Sequence, residues 1–465
     1  MQQSIFELGM GPEHSASPSP DTSLLFEELR LRYQVEGRPI RVSFRNLVAW
    51  LQPSSQQTHF IHPYPAKLLP HIAHFFTRAS VLTRHASAIL DPFAGSGTVA
   101  LEGSLSGLKP LVCDANPLAL LISKVKTTPY DVNELILVAA DLSHRIGRLR
   151  SAPAVSVINE ALWYLPATKS SLEKICRGIS EIEDIDVRDF FRVCFSAAAR
   201  KLSLADPSIS VPVRIRTKSK FSDAVNARIA RHLEWLATAS PELEFERIVQ
   251  TNIARVAATN RIRPNRQSCE LVGKDARCLV EPGGRPLSDN SISLTVTSPP
   301  YGSAQKYVRA SSLSLNWLSL CTPDGLSSLE SKSIGREHLT KHSAPAAALP
   351  PRTPVERSLK KIRAISESRA EITATYLSEL LDAITEIERV TAVDGRVVFV
   401  IGNNTVAGQE VANDNFICSA MENMGLALEL VLQDRIHSRG LLTARNKTAG
   451  VISSETILVF KKSKS

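Results

Sequence analysis

Two consecutive strand–turn–helix units between residues 87 and 126 constrain the fold of this chain more than any other feature. The stretch SAILDPFAGSGTVALEGSLSG (87–107) runs from an apolar segment through a glycine-rich turn into a helical pattern. KPLVCDANPLALLISKVK (109–126) repeats that order. A βαβα succession predicts a parallel sheet with helices packed on its faces. We therefore expect an α/β fold with a mostly parallel sheet.

The 465 residues are enough for two or three domains, and the local patterns divide them into four parts. We predict a disordered tail over 1–23 and a first half of the α/β core, with a mixed lead-in, over 24–132. Glycine is scarce and helical periodicity dominates over 133–265, which predicts a mainly α-helical insert. The second half of the core follows over 266–465. It includes KHSAPAAALPPRTP (341–354), which we predict to be a mobile loop.

Further strand and helix signals lie in the second half of the core. SISLTV (291–296) and GRVVFVIGNN (395–404) resemble buried strands, and the pattern predicts one long helix around 357–390. ALELVLQDRI and ETILVFKK predict a closing pair of strands.

Composition narrows the class of protein. The seven cysteines are scattered without a CxxC pair, which favours reduced thiols in a cytoplasm over a zinc site or disulfides. The sequence contains no run of 18 apolar residues, which a membrane span would require, and its N-terminus has no secretory pattern. The net charge is +9, and residues 201–266 carry 12 Lys and Arg against 6 Asp and Glu. A basic surface of this kind is typical of a protein with a polyanionic partner.

The glycine turn DPFAGSGT (91–98) predicts a ligand-binding loop. Gly95 and Gly97 permit a tight turn and a close backbone approach to a ligand. The loop lacks the Gly-Lys-Ser/Thr of a P-loop and the spacing of a dinucleotide fingerprint. Its leading Asp91 would repel a phosphate and suit a cationic or amine-bearing ligand. About twenty residues further on, Asp114 ends the next strand, where an acidic residue can accept hydrogen bonds from ribose hydroxyls. The alternative is that Asp114 only caps the following helix.

A third motif follows the buried strand SISLTV. TSPPY (297–301) must end that strand, because proline cannot donate to a sheet ladder. The order DPFAGSGT, CDANP and TSPPY resembles the motif set of S-adenosylmethionine-dependent DNA amino-methyltransferases. FIHPYPAKLLPHI (60–72) resembles the segment that precedes the glycine loop in that family, and GKDARCL (273–279) resembles its acidic strand end near the adenine. The resemblance covers roughly 58–130 and 270–460.

This resemblance implies a Rossmann-like class I methyltransferase fold, S-adenosyl-L-methionine as cofactor and DNA as partner. It implies that 24–132 is the cofactor-binding half of the core and that 266–465 is the catalytic half. The implied cofactor-binding residues are Tyr64, Lys67, Asp91, Phe93, Gly95, Gly97, Thr98, Asp114, Asn116, Asp275 and Ala276. For Lys67 with Tyr64 the alternative is a rigid turn packed on the sheet, and for Asp275 it is a turn aspartate.

The TSPPY segment supplies the expected catalytic residues Ser298, Pro299, Pro300 and Tyr301. An exocyclic base amine is a poor nucleophile, and acceptors aimed at its N–H bonds favour the geometry of attack. Ser298 can offer its hydroxyl oxygen and Pro299 its carbonyl, while the proline pair holds both still. Tyr301 can stack on a base turned out of the duplex. A surface polyproline turn is the alternative for SPPY alone.

Ring-carbon methylation would need a Pro-Cys nucleophile, and no cysteine here follows a proline. The expected target is therefore an exocyclic nitrogen, and the resemblance links a serine at position 298 to cytosine N4. Three alternatives remain. They are adenine N6, an RNA guanine-N2-type methyltransferase, which normally has an acidic residue in place of Ser298, and a degenerate, inactive DNA-binding subunit.

The insert 133–265 is the candidate target-recognition region, and its RIRTKSK segment (214–220) is the candidate DNA contact. The expected DNA-binding residues are Arg214, Arg216, Lys218 and Lys220. A cognate restriction endonuclease or defence-system subunits are further candidate partners. The histidines near HPYPAK do not have the spacing of a zinc motif, so we expect no metal site.

Overall fold

The computed structural model describes residues 19–51, 56–65, 67–302, 306–339, 353–436 and 453–463. Strands β1 to β6 span Ile40–Val42, Ala88–Asp91, Lys109–Val112, Glu270–Leu271, Ile292–Thr297 and Thr391–Ile401. Strands β7 to β10 span Asn404–Val406, Gln409–Val411, Leu426–Arg435 and Ser454–Lys462. The predicted tail lies mostly outside the described residues. Thr22, near its end, is already buried and donates its hydroxyl to the Phe75 carbonyl.

Helices fill both faces of the sheet and the insert. Helices α1 to α6 span Ser23–Glu36, Phe44–Leu47, Pro70–Thr77, Ser80–Thr83, Thr98–Ser106 and Pro117–Thr127. Helices α7 to α12 span Val132–Arg148, Glu160–Trp163, Pro166–Ser180, Ile185–Lys201, Asp223–Thr238 and Pro241–Ile262. Helices α13 to α17 span Tyr307–Trp317, Leu326–Lys332, Glu356–Ile365, Glu367–Val390 and Asn413–Asn423.

One eight-stranded sheet organises the described residues, in the order β1-β9-β10-β6-β5-β2-β3-β4. Strands β4, β3, β2, β5 and β6 are parallel, and β10 is antiparallel to both of its neighbours, β6 and β9. The expected α/β fold with a mostly parallel sheet is thereby confirmed. Strand β3 pairs with one side of β2 and β4 pairs with the outer side of β3. Strand β5 then pairs with the other side of β2. The order reverses there, and in open α/β sheets such a point is where a ligand-binding crevice opens.

Strand β6 shows how the sheet is buried from both sides. Val397 and Phe399 point into a core with Tyr376 and Leu380 of α16. Val398 and Val400 alternate to the other face and join the core with Phe75 of α3. Side chains alternate along a strand, so the part of β6 that is covered on both faces, residues 397–401, is apolar at every position.

The insert is helical, as predicted, and it packs against the core through helices α6 and α13. The segment 56–62 lies between the core and the insert and forms a buried polar seam. On the core side, Glu102 accepts from His59 Nε2 at 2.7 Å and from His74 Nδ1 at 2.8 Å. On the insert side, His62 Nε2 and Ser196 Oγ are 2.9 Å apart. We call this group of side chains the buried seam.

Several local expectations were too simple. The helix predicted around 357–390 is two helices, because Ser366 is extended and its hydroxyl caps α16 at the Arg369 amide. The acidic strand end expected at 273–279 follows a very short strand, because β4 covers only Glu270–Leu271. ALELVLQDRI and ETILVFKK do form a closing antiparallel pair, β9 and β10. The predicted mobile loop 341–354 lies almost wholly outside the described residues.

No helix in the described ranges is long and apolar enough to cross a membrane.

Candidate active site

The glycine loop lies at the carboxyl end of β2, and its conformation requires glycine. Gly95 and Gly97 have φ values of 51° and 68°, in the left-handed region. A Cβ on Gly97 would lie 2.6 Å from Ser123 Oγ and 2.8 Å from Ser123 Cα. The loop therefore rests directly on α6. The predicted ligand residue Thr98 is buried and begins α5.

Asp114 holds this loop from the end of the neighbouring strand. Its Oδ2 accepts from the Gly95 amide at 2.8 Å, and its Oδ1 accepts from the Asn116 amide at 2.8 Å. Burial raises the pKa of the Asp114 carboxyl to about 6, although both amide hydrogen bonds act in the opposite direction. A carboxylate has about four lone-pair sites, so two remain for a ligand's hydroxyls.

The cap of α6 is Asn116 and not Asp114. Asn116 Oδ1 accepts from the Leu118 amide. Its Nδ2 donates to Tyr64 Oη at 3.2 Å and to Ser311 Oγ at 3.0 Å. Asn116 was predicted to bind the cofactor. Its described bonds are all within the protein, where it ties the HPYPAK segment to α6 and α13.

Asp91 connects the glycine loop to the SPPY segment. The hydroxyl of Thr297, the last residue of β5, donates to Asp91 Oδ1 at 2.7 Å, and the Phe93 amide donates to the same oxygen at 3.2 Å. Burial raises the pKa of Asp91 to about 7. We expected Asp91 to suit a cationic ligand, but the described geometry assigns it to joining two adjacent strand ends. Phe93 is partly buried beside the core that also contacts Tyr301.

The SPPY segment is held by hydrogen bonds at several points. Ser298 Oγ and Tyr301 Oη are 3.2 Å apart. Tyr301 Oη donates to Glu455 Oε1 at 3.0 Å, and Tyr376 Oη donates to the Pro300 carbonyl at 2.8 Å. Burial and the Glu455 charge raise the pKa of Tyr301 well above its ordinary value. The tyrosine hydroxyl is therefore neutral.

The carbonyl of Pro299 accepts no hydrogen bond from any described residue, in contrast to that of Pro300. Ser298 is only half-buried, while Pro299 is buried. Two oxygens of the segment, one from a hydroxyl and one from a carbonyl, are thus compatible with the predicted acceptor pair.

The remaining predicted cofactor residues differ in their surroundings. Asp275 forms a two-point ion pair with Arg277, with both N–O distances at 2.8 Å. Burial raises the pKa of Asp275, but the bonds from Arg277 outweigh it and leave that pKa below its ordinary value. Ala276 is buried in the core beside α16. Lys67 donates to the His59 and His62 carbonyls at 3.3 and 2.7 Å, which favours the alternative of a rigid turn for this residue.

Three contacts at the motifs were missed by sequence reasoning, those of Thr297, Tyr376 and Glu455. Thr297 is the first residue of TSPPY, and its role could have been identified because it is the last residue of a strand at the edge of a cleft. Tyr376 lies inside a helix, and Glu455 lies in the last strand. No local pattern distinguishes these two from ordinary amphipathic positions.

The predicted DNA-binding residues lie on the loop between α10 and α11, and they are not equivalent. Arg214 donates to the Leu162 carbonyl and forms an isolated bridge with Ala205. Lys218 lies 5.2 Å from the Phe221 ring centroid. Arg216 and Lys220 are exposed and make no ion pair with any described residue. Across the described ranges, no cluster of three His, Cys, Asp or Glu could hold a metal ion.

Comparison with known proteins agrees with this arrangement. Residues 58–152, which include the core side of the buried seam, the glycine loop and Asp114, match the RMKL-like methyltransferase domain family. The chain is 23% identical over 384 residues to the type II methyltransferase M.MvaI of Kocuria varians, covering 78% of this chain and 81% of that protein. It is 32% identical over 94 residues to the type II methyltransferase M.MjaII of Methanocaldococcus jannaschii, covering 20% of this chain and 17% of that protein.

Among solved structures, the rRNA methyltransferase AviRa of Streptomyces viridochromogenes overlaps 90% of this chain and 96% of its own, at 9% identity and a TM-score of 0.30. That overlap is too loose to carry an argument about function. The domain match and these relatives, taken with the motif order, support a methyltransferase that is similar in sequence to type II methyltransferases.

Proposed function

We propose that this chain is an S-adenosylmethionine-dependent DNA methyltransferase that methylates an exocyclic amine, cytosine N4. One observation carries the proposal. The Thr297–Asp91 hydrogen bond of 2.7 Å joins the end of β5 to the end of β2, so Ser298 and the glycine loop share one edge of the sheet. A methyl donor and an acceptor amine must meet for an in-line displacement, and two binding loops fixed to one another meet that requirement.

The residues at the first loop suit S-adenosylmethionine. Gly95 and Gly97 leave the loop surface without side chains, and the carboxylate of Asp114 can accept from ribose hydroxyls beside its bond to Gly95. When bound, this cofactor supplies an electrophilic methyl group on a positively charged sulfur. The ring of Phe93 offers a nearby aromatic face, which attracts a cation.

The second loop suits a flat base with an amino group. Ser298 Oγ and the Pro299 carbonyl would accept from the two N–H bonds of the amine and draw its nitrogen towards the tetrahedral geometry of attack. Tyr301 would contact the base through its ring. A serine at position 298 supports cytosine N4 over adenine N6 by family resemblance. The type II relatives support a site-specific role in restriction–modification, with a cognate endonuclease as an expected partner.

The insert is the proposed DNA-reading part. Its exposed basic residues lie on the loop before α11, outside the three motifs, and its helices pack on α13, which follows the SPPY segment. A surface that contacts phosphates through Arg216 and Lys220 would hold the duplex beside the catalytic loop.

The test is the modified-base content of genomic DNA. Cells expressing the chain are compared with cells expressing Ser298→Ala, and N4-methylcytosine and N6-methyladenine are quantified by mass spectrometry after digestion to nucleosides. We expect N4-methylcytosine in the first and none in the second. The matched control is Ser327→Ala, an exposed serine on α14, which should retain the modification.

The other outcomes separate the alternatives. N6-methyladenine in place of N4-methylcytosine would keep the reaction and change the base. If DNA stays unmodified while purified protein binds S-adenosylmethionine in a calorimetric titration, the DNA proposal fails and RNA nucleosides from the same cells are analysed. A protein without cofactor binding would be the degenerate DNA-binding subunit.

A further inference from the structure

The antiparallel strand β10 brings an acidic residue into the catalytic edge of the sheet. The parallel strands all end at this edge, so a strand that runs the opposite way begins there. Glu455 is the second residue of β10 and pairs in register with Asp434, near the end of β9. Its Oε1 lies 3.0 Å from Tyr301 Oη, and Tyr301 Oη lies 3.2 Å from Ser298 Oγ.

The direction of these hydrogen bonds follows from the chemistry of the groups. An ionised carboxylate only accepts, so the Tyr301 hydroxyl must donate its hydrogen to Glu455. The Tyr301 oxygen is then an acceptor, and the nearest donor to it is the Ser298 hydroxyl. With its hydrogen committed to Tyr301, Ser298 presents only lone pairs to the target amine. Glu455 thus sets the orientation in which Ser298 can accept from an N–H bond.

We propose that Glu455 is the terminal proton acceptor of a relay through Tyr301 and Ser298 that serves the methylated amine. This inference rests on the proposed function. The target nitrogen forms its bond to the methyl carbon as the carbon–sulfur bond breaks, and that bonding pair stays on sulfur. The cationic nitrogen then gives a proton to Ser298 Oγ, Ser298 gives its hydrogen to Tyr301 Oη, and Tyr301 gives its hydrogen to the Glu455 carboxylate. Solvent removes the proton from Glu455 after product release.

The surroundings of Glu455 suit this role. Burial raises the pKa of its carboxyl above the ordinary value, the bond from Tyr301 lowers it, and the charge of Asp434 on β9 raises it. A carboxylate with a raised pKa is a better proton acceptor. On the α17 side, Asp414 accepts from the neighbouring Thr456 at 3.4 Å, and on β9 Arg435 pairs in register with Ser454. Those two residues are further charged groups beside the start of β10.

The test is the single-turnover rate of methyl transfer to DNA by Glu455→Gln as a function of pH. The amide can still accept from Tyr301 but takes no proton. We expect a rate roughly 10²-fold lower, the scale of general acid–base catalysis, with unchanged affinities for S-adenosylmethionine and DNA. We also expect the wild-type rate to fall as pH is lowered through the pKa of Glu455, and the variant to lose that dependence. Glu422→Gln, at an exposed position on α17, is the matched control.

A second variant keeps the inference testable if Glu455→Gln folds poorly. Tyr301→Phe interrupts the relay at its middle, and combining both changes should cost no more than one of them, because both act in one path. A wild-type rate and pH profile in Glu455→Gln would overturn the inference and leave the proposed function standing. A uniformly lower rate with the wild-type pH profile would reduce Glu455 to a structural role. A wild-type enzyme that methylates no DNA would instead refute the proposed function, and this inference with it.

Discussion

At the scale of single residues, Gly97 is a position of the candidate site where the backbone leaves no room for a side chain. Its φ is 68°, and an added Cβ would lie 2.8 Å from Ser123 Cα. A left-handed alanine costs about 1–2 kcal/mol and overpacking about 1–3 kcal/mol. We therefore expect Gly97→Ala to lower the free energy of unfolding by about 2–5 kcal/mol, measured by urea denaturation, and to weaken binding of S-adenosylmethionine.

The control for that change is Gly283→Ala. Gly283 has no atom within 4 Å of an added Cβ and lies in an exposed turn, so its substitution should leave stability and cofactor binding almost unchanged. Equal effects of the two alanines would show that the close approach of the loop to α6 does not matter.

The raised pKa of Asp114 leads to a prediction about how cofactor binding depends on pH. Burial raises its pKa to about 6, so at pH 7 to 8 it is an acceptor for Gly95 and for a ribose hydroxyl, and below pH 6 it becomes protonated. We expect the Kd for S-adenosylmethionine to rise as pH falls from 7 to 5, measured by calorimetry. Asp114→Asn should bind about ten-fold more weakly at pH 7, since charge-assisted hydrogen bonds are roughly twice as strong as neutral ones. Its affinity should change little over the same pH range. A wild-type Kd that is constant over this range would contradict the ribose role.

The residues show what a sequence can and cannot indicate. Asp114 and Ser298 could be singled out because each lies within two residues of the end of a strand, and the carboxyl ends of parallel strands share one edge. The bond between Asp91 and Thr297 was not predicted, because the two residues are 206 positions apart. Glu455 was missed for the same reason, since only the reversed direction of β10 brings it to Tyr301.

At the scale of elements, long regular segments were predictable and their boundaries were not. The pattern from 357 to 390 is continuously helical, yet the chain turns at Ser366 so that α15 can bury Ile362 against α16. A serine is a helix cap in one context and an ordinary helical residue in another, and the tertiary packing decides between them. Strand β4 is short because an edge strand needs only a few bonds to its single neighbour, β3.

The basic loop before α11 gives a prediction about salt dependence. Arg216 and Lys220 are exposed and make no ion pair with described residues, so both are available for phosphate contacts. Each phosphate contact adds about 0.9 to the slope of log affinity against log salt. We expect Arg216→Ala combined with Lys220→Ala to reduce that slope by about 2, measured by fluorescence anisotropy on a DNA duplex, without a change in the Kd for S-adenosylmethionine.

The salt dependence of DNA binding should depend on where a basic residue lies, and removing a positive charge elsewhere should not change it. Arg84 is exposed and precedes β2, at the sheet edge opposite the candidate site, so Arg84→Ala should leave the slope unchanged. Arg214→Ala is expected to lower stability as well, because its guanidinium contacts the Leu162 carbonyl. A wild-type slope in the double variant would remove the insert loop from the DNA interface.

At the scale of the whole molecule, the buried seam connects the helical insert to the catalytic core. The Thr58 amide donates to Thr259 Oγ1 of α12 at 3.0 Å, and Asn252 Nδ2, also on α12, donates to the Ile61 carbonyl at 3.0 Å. His59 and His62 complete the seam towards the core and towards α10. The proposed DNA-reading and catalytic parts are thus joined through polar groups, and among these the histidines can change their protonation with pH.

His62 makes this connection sensitive to acid. Burial lowers its pKa to about 3, with smaller effects from the charges of Lys67 and Lys126. The folded protein therefore keeps His62 neutral, while the unfolded chain binds a proton below its ordinary pKa of about 6.5. The unfolded state then binds more protons, and stability falls by about 1.4 kcal/mol per pH unit as pH decreases from 6.5 towards 3.

We accordingly expect His62→Gln to be less sensitive to acid than the wild type. Between pH 7 and pH 5, the free energy of unfolding should fall by about 2 kcal/mol less in the variant, measured by urea denaturation at both pH values. The pKa of Glu102 is held low by His59 and His74 against the effect of burial, so its contribution is lost only below its ordinary range and does not enter this window. The exposed His144→Gln should retain the wild-type difference. If His62→Gln loses as much stability as the wild type, His62 is protonated in the folded state, and the acid sensitivity of the seam must come from another group.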